Sequence, residues 1–371
     1  MPAAKPKLVA DVSPRATAED LDWCYNHYLG REPDAEGRAF WLQRVARGIS
    51  LDELRSHFVG SPEFHERSEA EKFEALKALG SGDPMVFSLA DVETLTAALH
   101  VEGFRGAVQI GTFALPKGFK TGLDPKSAAY REQQLALWGA ITQRPTYEAD
   151  KDEDTPEISD LDAIYRPAFY GSGDADLAGD HLIALGHILK LSGLKSGARA
   201  LEYGAGFGQI ALAFARLGVK VDTVDINPRF CAAVASLAPR YRVDLTAHVE
   251  SFGFNPAGRP QAYDLIYFYE SFHHCLDFQA VIPKLDEMLK SGGRIIMAGE
   301  PIMAEPTALL PYPWGLRLDG ENVTVMHKRG WMELGFSEEF YFSTFRQFGF
   351  RATKHILPNM HYATAYVLER V

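Results

Sequence analysis

The stretch LEYGAGFG, residues 201–208, puts three glycines at alternate positions behind a glutamate and directly after an apolar run. A dinucleotide fingerprint requires G-x-G-x-x-G, and the position that would complete it from Gly204 and Gly206 is Gln209. The spacing is therefore one residue off for a diphosphate cradle. Glu202 makes the same point electrostatically, because a carboxylate two residues before the loop is badly placed beside a diphosphate. A cofactor that carries positive charge and no phosphate suits both features. Glycines at 204, 206 and 208 allow the backbone to come close to it.

Outward from this loop, the pattern alternates. Apolar runs ARALEY, KVDTVDI, YDLIYFY and GRIIMAG are separated by helical stretches such as QIALAFARLG and AVIPKLDEML. Such alternation predicts a parallel sheet with helices on both faces, whose ligands sit at the carboxyl ends of the strands. Asp225 ends the second run, 17 positions after Gly208, where a carboxylate can accept both hydroxyls of a ribose.

These residues resemble a class I S-adenosylmethionine-dependent methyltransferase over about 180–300. LEYGAGFG is similar to the first motif of that family, Asp225 to its ribose acid, YDLIYFYESFHHCLD to the segment around its fourth strand, and LKSGGRIIMAGEP to its fifth. The resemblance implies an α/β, Rossmann-like seven-stranded methyltransferase sheet, completed by RATKHIL and YATAYVLER with one antiparallel strand. It implies S-adenosyl-L-methionine as cofactor, held by Glu202, Gly204, Gly206, Gly208, Asp225 and Ile226, with Glu250, Ser251 and Phe252 near the adenine and Phe268 and Tyr269 at the end of the fourth strand.

His273 and His274 follow that fourth strand, with Cys275 beside them. Adjacent side chains diverge, and no CxxC or HxxxH spacing elsewhere completes a ligand set, so no metal is expected. Two readings of the histidines stay open. One is a general base for a hydroxyl acceptor, with Glu300 as an alternative base or orienting group. The other is a packed histidine, with Glu300 as a capping carboxylate. No Asp/Asn-Pro-Pro-Tyr follows the strand, and no cysteine stands where a covalent base-methylating nucleophile would.

The flanking regions supply the domain plan. Residues 18–80 read as helices, with Ser50 and Glu53 as a capping box and Ser61-Pro62 as an N-cap followed by proline. YNHYLGREPDAEGRAFWLQRVARGISLDELRSHFVGSPEF resembles the small helical DUF4214 domain, an accessory module beside glycan-processing domains; this implies a setting and a possible protein-partner surface. The expected division is thus 1–80 helical, 81–160 a connecting α/β region ending in the acidic linker DKDEDTPEISD, and 161–371 the methyltransferase domain. Within 84–150, SLADVETLTAAL reads as helix, GAVQIGTF as strand and KSAAYREQQLALWGAITQR as helix. The insertion at 300–336 is rich in aromatics and proline. Tyr312, Trp314 and Trp331 offer flat faces for a sugar ring and Arg317 a donor for its hydroxyls, or the same aromatics form local core. Tyr165 and Tyr170 precede the first strand and are candidates for a cofactor cover.

The 371 residues carry a net charge of −11, are 46% hydrophobic and 23% charged, and contain three widely spaced cysteines. The charge argues against nucleic acid or an anionic membrane as partner, and the cysteines against a disulfide framework. No stretch nears ~18 apolar residues and the first twenty residues lack an apolar signal core, so a cytoplasmic protein is expected. The acceptor expected from these features is a hydroxyl on a surface glycan or its precursor. A small metabolite, lipid or protein acceptor and a catalytically silent scaffold are the alternatives.

Overall fold

The computed structural model describes residues 13–153 and 173–371; Tyr165, Tyr170 and most of the acidic linker lie outside them. Two compact units form: Met1–Glu153 with Pro306–Glu333, and Asp154–Glu305 with Leu334–Val371. No described helix is long and apolar enough to cross a membrane.

The first unit is mainly helical. Ser50 and Ser61 both cap their helices, accepting from the Glu53 and Phe64 N–H groups. The helix Leu51–Val59 does not stand apart from the region beyond residue 80. Its buried Asp52 accepts the N–H groups of Glu93 (2.9 Å) and Thr94 (2.8 Å) and so satisfies the start of the helix Val92–Ala97. This tie joins the expected 1–80 module to the following segment. GAVQIGTF departs from the strand expected of it. Glu102–Ile110 is a helix, and only Thr112–Phe113 is extended. Phe104 and Val108, four residues apart, are buried while Arg105, Gln109 and Ile110 are exposed, so a helical period satisfies the apolar residues here.

The second unit holds the sheet. Its strands are β1 (Arg199–Tyr203), β2 (Lys220–Asp225), β3 (Leu245–Val249), β4 (Tyr263–Tyr269), β5 (Leu289–Ala298), β6 (Phe350–His355) and β7 (Ala365–Arg370). The order is β6-β7-β5-β4-β1-β2-β3. All neighbours run parallel except β7, which is antiparallel to both β5 and β6. This is the seven-stranded arrangement that the family resemblance implies, with its last two strands within RATKHIL and YATAYVLER and their flanks.

The helices are α1 (Ala175–Ser192), α2 (Gln209–Arg216), α3 (Pro228–Tyr241), α4 (Phe278–Met288) and α5 (Glu338–Gln347). Ile188 of α1, Phe214 of α2 and Leu237 of α3 pack with Leu265, Tyr267 and Ile296 in one core. Phe268, which alternates with Tyr267, enters an aromatic cluster with Tyr203, Phe252 and Phe272. Strand alternation thus supplies both layers. The strand order reverses direction between β1 and β4, and that crevice is where a doubly wound sheet takes its ligand.

Candidate active site

Gly204, Gly206 and Gly208 all adopt left-handed backbone, with φ of 68°, 52° and 68°. The closest constraint is at Gly204, where a Cβ would stand 2.4 Å from the Ser271 Cβ. Only glycine lets the turn after β4 lie against the turn after β1. Ser271 then closes the contact by donating its hydroxyl to the Tyr203 carbonyl at 2.8 Å. At Gly208, which starts α2, a Cβ would meet Val234 of α3 at 2.9 Å.

Asp225 ends β2 beside this turn. Its Oδ2 accepts from the Gly206 N–H (3.3 Å) and its Oδ1 from the Asn227 N–H (2.9 Å). Burial raises its pKa to about 6, against the lowering pull of those N–H groups and of His274 nearby. Above that pH it is an oriented anion at the crevice, with Ile226 half-buried next to it.

Glu202 is placed differently from the sequence expectation of a charge close to a cationic cofactor. Its side chain is buried in the sheet, where it accepts the Tyr267 hydroxyl at 3.0 Å and the Ala211 N–H of α2. Burial pushes its pKa up to about 8, the two hydrogen bonds oppose this, and Asp225 adds to it. The folded protein therefore binds this proton more tightly than the unfolded chain does. The associated stability is present at low pH and is lost as pH rises through about 8. Glu202→Gln removes this titration. Unfolding of wild type and variant between pH 5 and 9 should show the variant gaining, by up to about 4 kcal/mol, toward the alkaline end. A difference that stays flat with pH would contradict the burial argument.

After β3, Glu250 and Ser251 are exposed and Phe252 is half-buried, its ring against Tyr203 and Phe268. Phe268 itself is wholly buried, so of the β4 pair only Tyr269 has a side chain at the edge. The Tyr269 hydroxyl lies 2.6 Å from Nδ1 of His181 on α1. Nothing in the sequence pointed to His181, which stands 88 residues from Tyr269 in a helix whose apolar pattern explains itself.

Glu300, buried just after β5, binds the turn Phe272–His274 through four donors. Oε1 accepts the N–H groups of Ser271 (3.0 Å) and Phe272 (2.9 Å); Oε2 accepts the His273 N–H (3.0 Å) and lies 2.9 Å from its Nδ1. Burial alone would raise the Glu300 pKa. The His273 bond and charge, with the backbone N–H groups, outweigh burial and hold it below the usual carboxylate range. The ionised carboxylate orients the His273 ring through Nδ1; in the neutral ring the hydrogen then sits on Nδ1 and Nε2 is the basic nitrogen. The His274 ring is half-buried, tilted against His273 at 4.3 Å, and sits close enough to Asp225 to favour its anion.

The expected acceptor residues lie in the first unit. Tyr312 and Trp314 are 3% and 2% exposed. Trp314 donates its Nε1–H to the Pro125 carbonyl at 2.7 Å and packs on Tyr130, while Tyr312 stacks on Phe119 and donates to the Leu316 carbonyl. Arg317 pairs with Glu333, and half-buried Trp331 accepts the Trp138 indole N–H at its carbonyl. Of the two readings left open for these aromatics, the local-core one describes Tyr312 and Trp314.

Residues 201–295 match the family model described as a methyltransferase domain. The ubiquinone biosynthesis O-methyltransferase of Xanthomonas campestris pv. campestris (strain B100) is 33% identical over 104 residues, which are 28% of this chain and 43% of that protein. The protein of the same name from Sodalis glossinidius is 26% identical over 156 residues, 42% of this chain and 63% of that one. The chain thus spans less than two thirds of these relatives. Among solved structures, geranyl diphosphate C-methyltransferase from Streptomyces coelicolor A3(2) is similar at 15% identity and a TM-score of 0.42, over 67% of this chain and 100% of that one. The segment that holds the glycine turn, Glu202 and Asp225 thus matches a methyltransferase domain.

Proposed function

We propose that the protein is an S-adenosylmethionine-dependent methyltransferase that O-methylates a hydroxyl of a small acceptor molecule. The observation that carries this is Asp225, held by two N–H groups at the end of β2 beside the left-handed glycine turn. The charge and position suit the two ribose hydroxyls. The bound cofactor supplies a sulfonium methyl; transfer forms an O–C bond, breaks the S–C bond and leaves a neutral thioether.

In this reading the chain's residues divide the remaining work. The Gly204–Ser271 contact lets the backbone of both turns line the crevice. Phe252, on its Tyr203–Phe268 stack, borders the adenine end, and Glu250 and Ser251 stand beside it. His273 takes the hydroxyl proton at Nε2, with Glu300 orienting the ring at Nδ1. His274 supports the Asp225 anion.

A small acceptor is favoured over a glycan because the burial of Tyr312 and Trp314 closes the flat faces that suggested a sugar platform. The glycan reading keeps the DUF4214-like stretch as support. Transfer of tritiated methyl to a panel of phenols, free sugars and oligosaccharides separates the two. Label on a phenol or other small hydroxyl compound is the expected result. Label confined to oligosaccharides would move the assignment to a glycan, and label on amines alone would remove the hydroxyl assignment.

A further inference from the structure

The helix α1 is apolar on two sides. Ala178, His181, Ala184 and Ile188 are buried, and Ile188 enters the sheet core with Leu185, Leu189 and Leu191 packed against it. On the outward side Leu182 is 45% and Ile183 43% exposed. Gly179 and Gly186 share that side, since the four residues stand at i, i+3, i+4 and i+7. Both glycines weaken the helix relative to alanine, and nothing in the chain requires them. Neither has a left-handed φ. Among the described residues, a Cβ at either one would meet no atom within 4 Å. What glycine supplies on an outward face is room, because a second helix can come closer there than bulkier side chains would allow.

The charges at the two ends of this stripe say which helix fits. Asp176 lies one turn before Gly179 and Lys190 one turn after Gly186, both exposed and on the same side. Among the described residues neither has an ion-pair partner. The two are 14 positions apart, about 21 Å along the helix, and Ile183 is midway between them. A second α1 related by a two-fold axis at Ile183 runs antiparallel. Asp176 of each copy then faces Lys190 of the other, with the Gly179, Leu182 and Gly186 positions along the seam. A parallel pairing would set like charges against each other. The stripe is therefore complementary to itself, as a closed two-fold contact requires.

We propose that the outward face of α1 docks a second copy of this chain, forming a two-fold dimer through Gly179, Leu182, Ile183 and Gly186 with reciprocal Asp176–Lys190 pairs at its ends. The inference goes beyond the methyltransferase reading and does not depend on it. The seam is small, one stripe on a helix of 18 residues that is about 27 Å long. The dimer therefore belongs among weak, reversible assemblies, with a Kd of roughly 1–100 µM.

Sedimentation velocity on the full chain over roughly 1–300 µM tests this. Wild type should pass from monomer to dimer within that range, and Ile183→Asp should stay monomeric. The glycines separate the seam from the helix itself. Gly179→Ala with Gly186→Ala should raise the melting temperature of the monomer by ~2 °C or more, because alanine favours the helix. The same variant should weaken the dimer ~10-fold or more. Lys190→Glu, which opposes like charges twice, should weaken it ~10-fold, and adding Asp176→Lys should restore it to within about threefold. That recovery distinguishes pairing between copies from the service each charge gives its own helix dipole, which the double reversal makes worse. Wild type that stays monomeric throughout would overturn the inference. So would alanines that leave the dimer as tight or tighter, or a dimer that Ile183→Asp does not weaken, since the copies would then meet elsewhere.

Discussion

Asp225→Ala loses S-adenosylmethionine binding by about 100-fold in calorimetry at pH 8, while its thermal unfolding stays close to that of wild type. Two hydrogen bonds from ribose hydroxyls to an ionised carboxylate contribute about 1.5 kcal/mol each, and 3 kcal/mol is two decades in affinity. The backbone supports this size of effect. Asp225 stands at the end of β2 with one N–H on each oxygen, so the carboxylate is already oriented and little entropy is lost on binding. Removing it also releases a group whose pKa burial has raised to about 6, which offsets the lost backbone contacts in the free protein. The same shift sets a pH dependence. Protonation disables the acceptor, so wild-type affinity should fall as pH drops below about 6, and the alanine variant should lack that fall. Equal affinities in the two proteins at pH 8 would show that the ribose is held elsewhere and that the glycine turn is a packing device.

Glu300→Gln destabilises the protein by roughly 3–5 kcal/mol, the cost of breaking a buried charged pair from one side. The carboxylate accepts three consecutive N–H groups and faces the His273 Nδ1. An amide of the same shape turns an NH2 toward donors it cannot satisfy and leaves buried N–H groups without acceptors. Denaturation of the whole chain reads the total. Because the chain forms two compact units, hydrogen exchange at the Ser271, Phe272 and His273 amides supplies the local measure. Those amides should lose protection first, and the Ser271 contact with Gly204 should loosen with them. Unchanged protection would mean that the turn is held by the packing of Phe272 on Phe278 and Phe336, with Glu300 an accessory.

The two effects have different origins in the sequence. Asp225 is legible because everything that defines it is local. An apolar run predicts β2, the residue at its end must lie at the sheet edge, and the glycines before α2 mark the neighbouring turn. Glu300 was visible only as an acidic residue after a strand. Whether it acts as a base or a cap depends on the turn beyond β4, 27 to 29 residues earlier, and no periodicity carries that pairing.

The last two strands, one antiparallel, were implied by the family resemblance; local periodicity and glycine spacing determined the centre of the sheet: four apolar runs, the helices between them and the crevice that holds Asp225. They did so because a buried strand and an amphipathic helix each write their own period into the chain. The tertiary structure alone decided the rest. It turned Glu202 toward Tyr267 and the start of α2. It assigned Pro306–Glu333, with Tyr312 and Trp314, to the interior of the first unit, and it brought His181 to Tyr269 across 88 residues. Each of these outcomes is a choice of partner for a buried polar or aromatic group. That choice depends on which surfaces meet when the chain closes, and a residue's neighbours in sequence do not encode it.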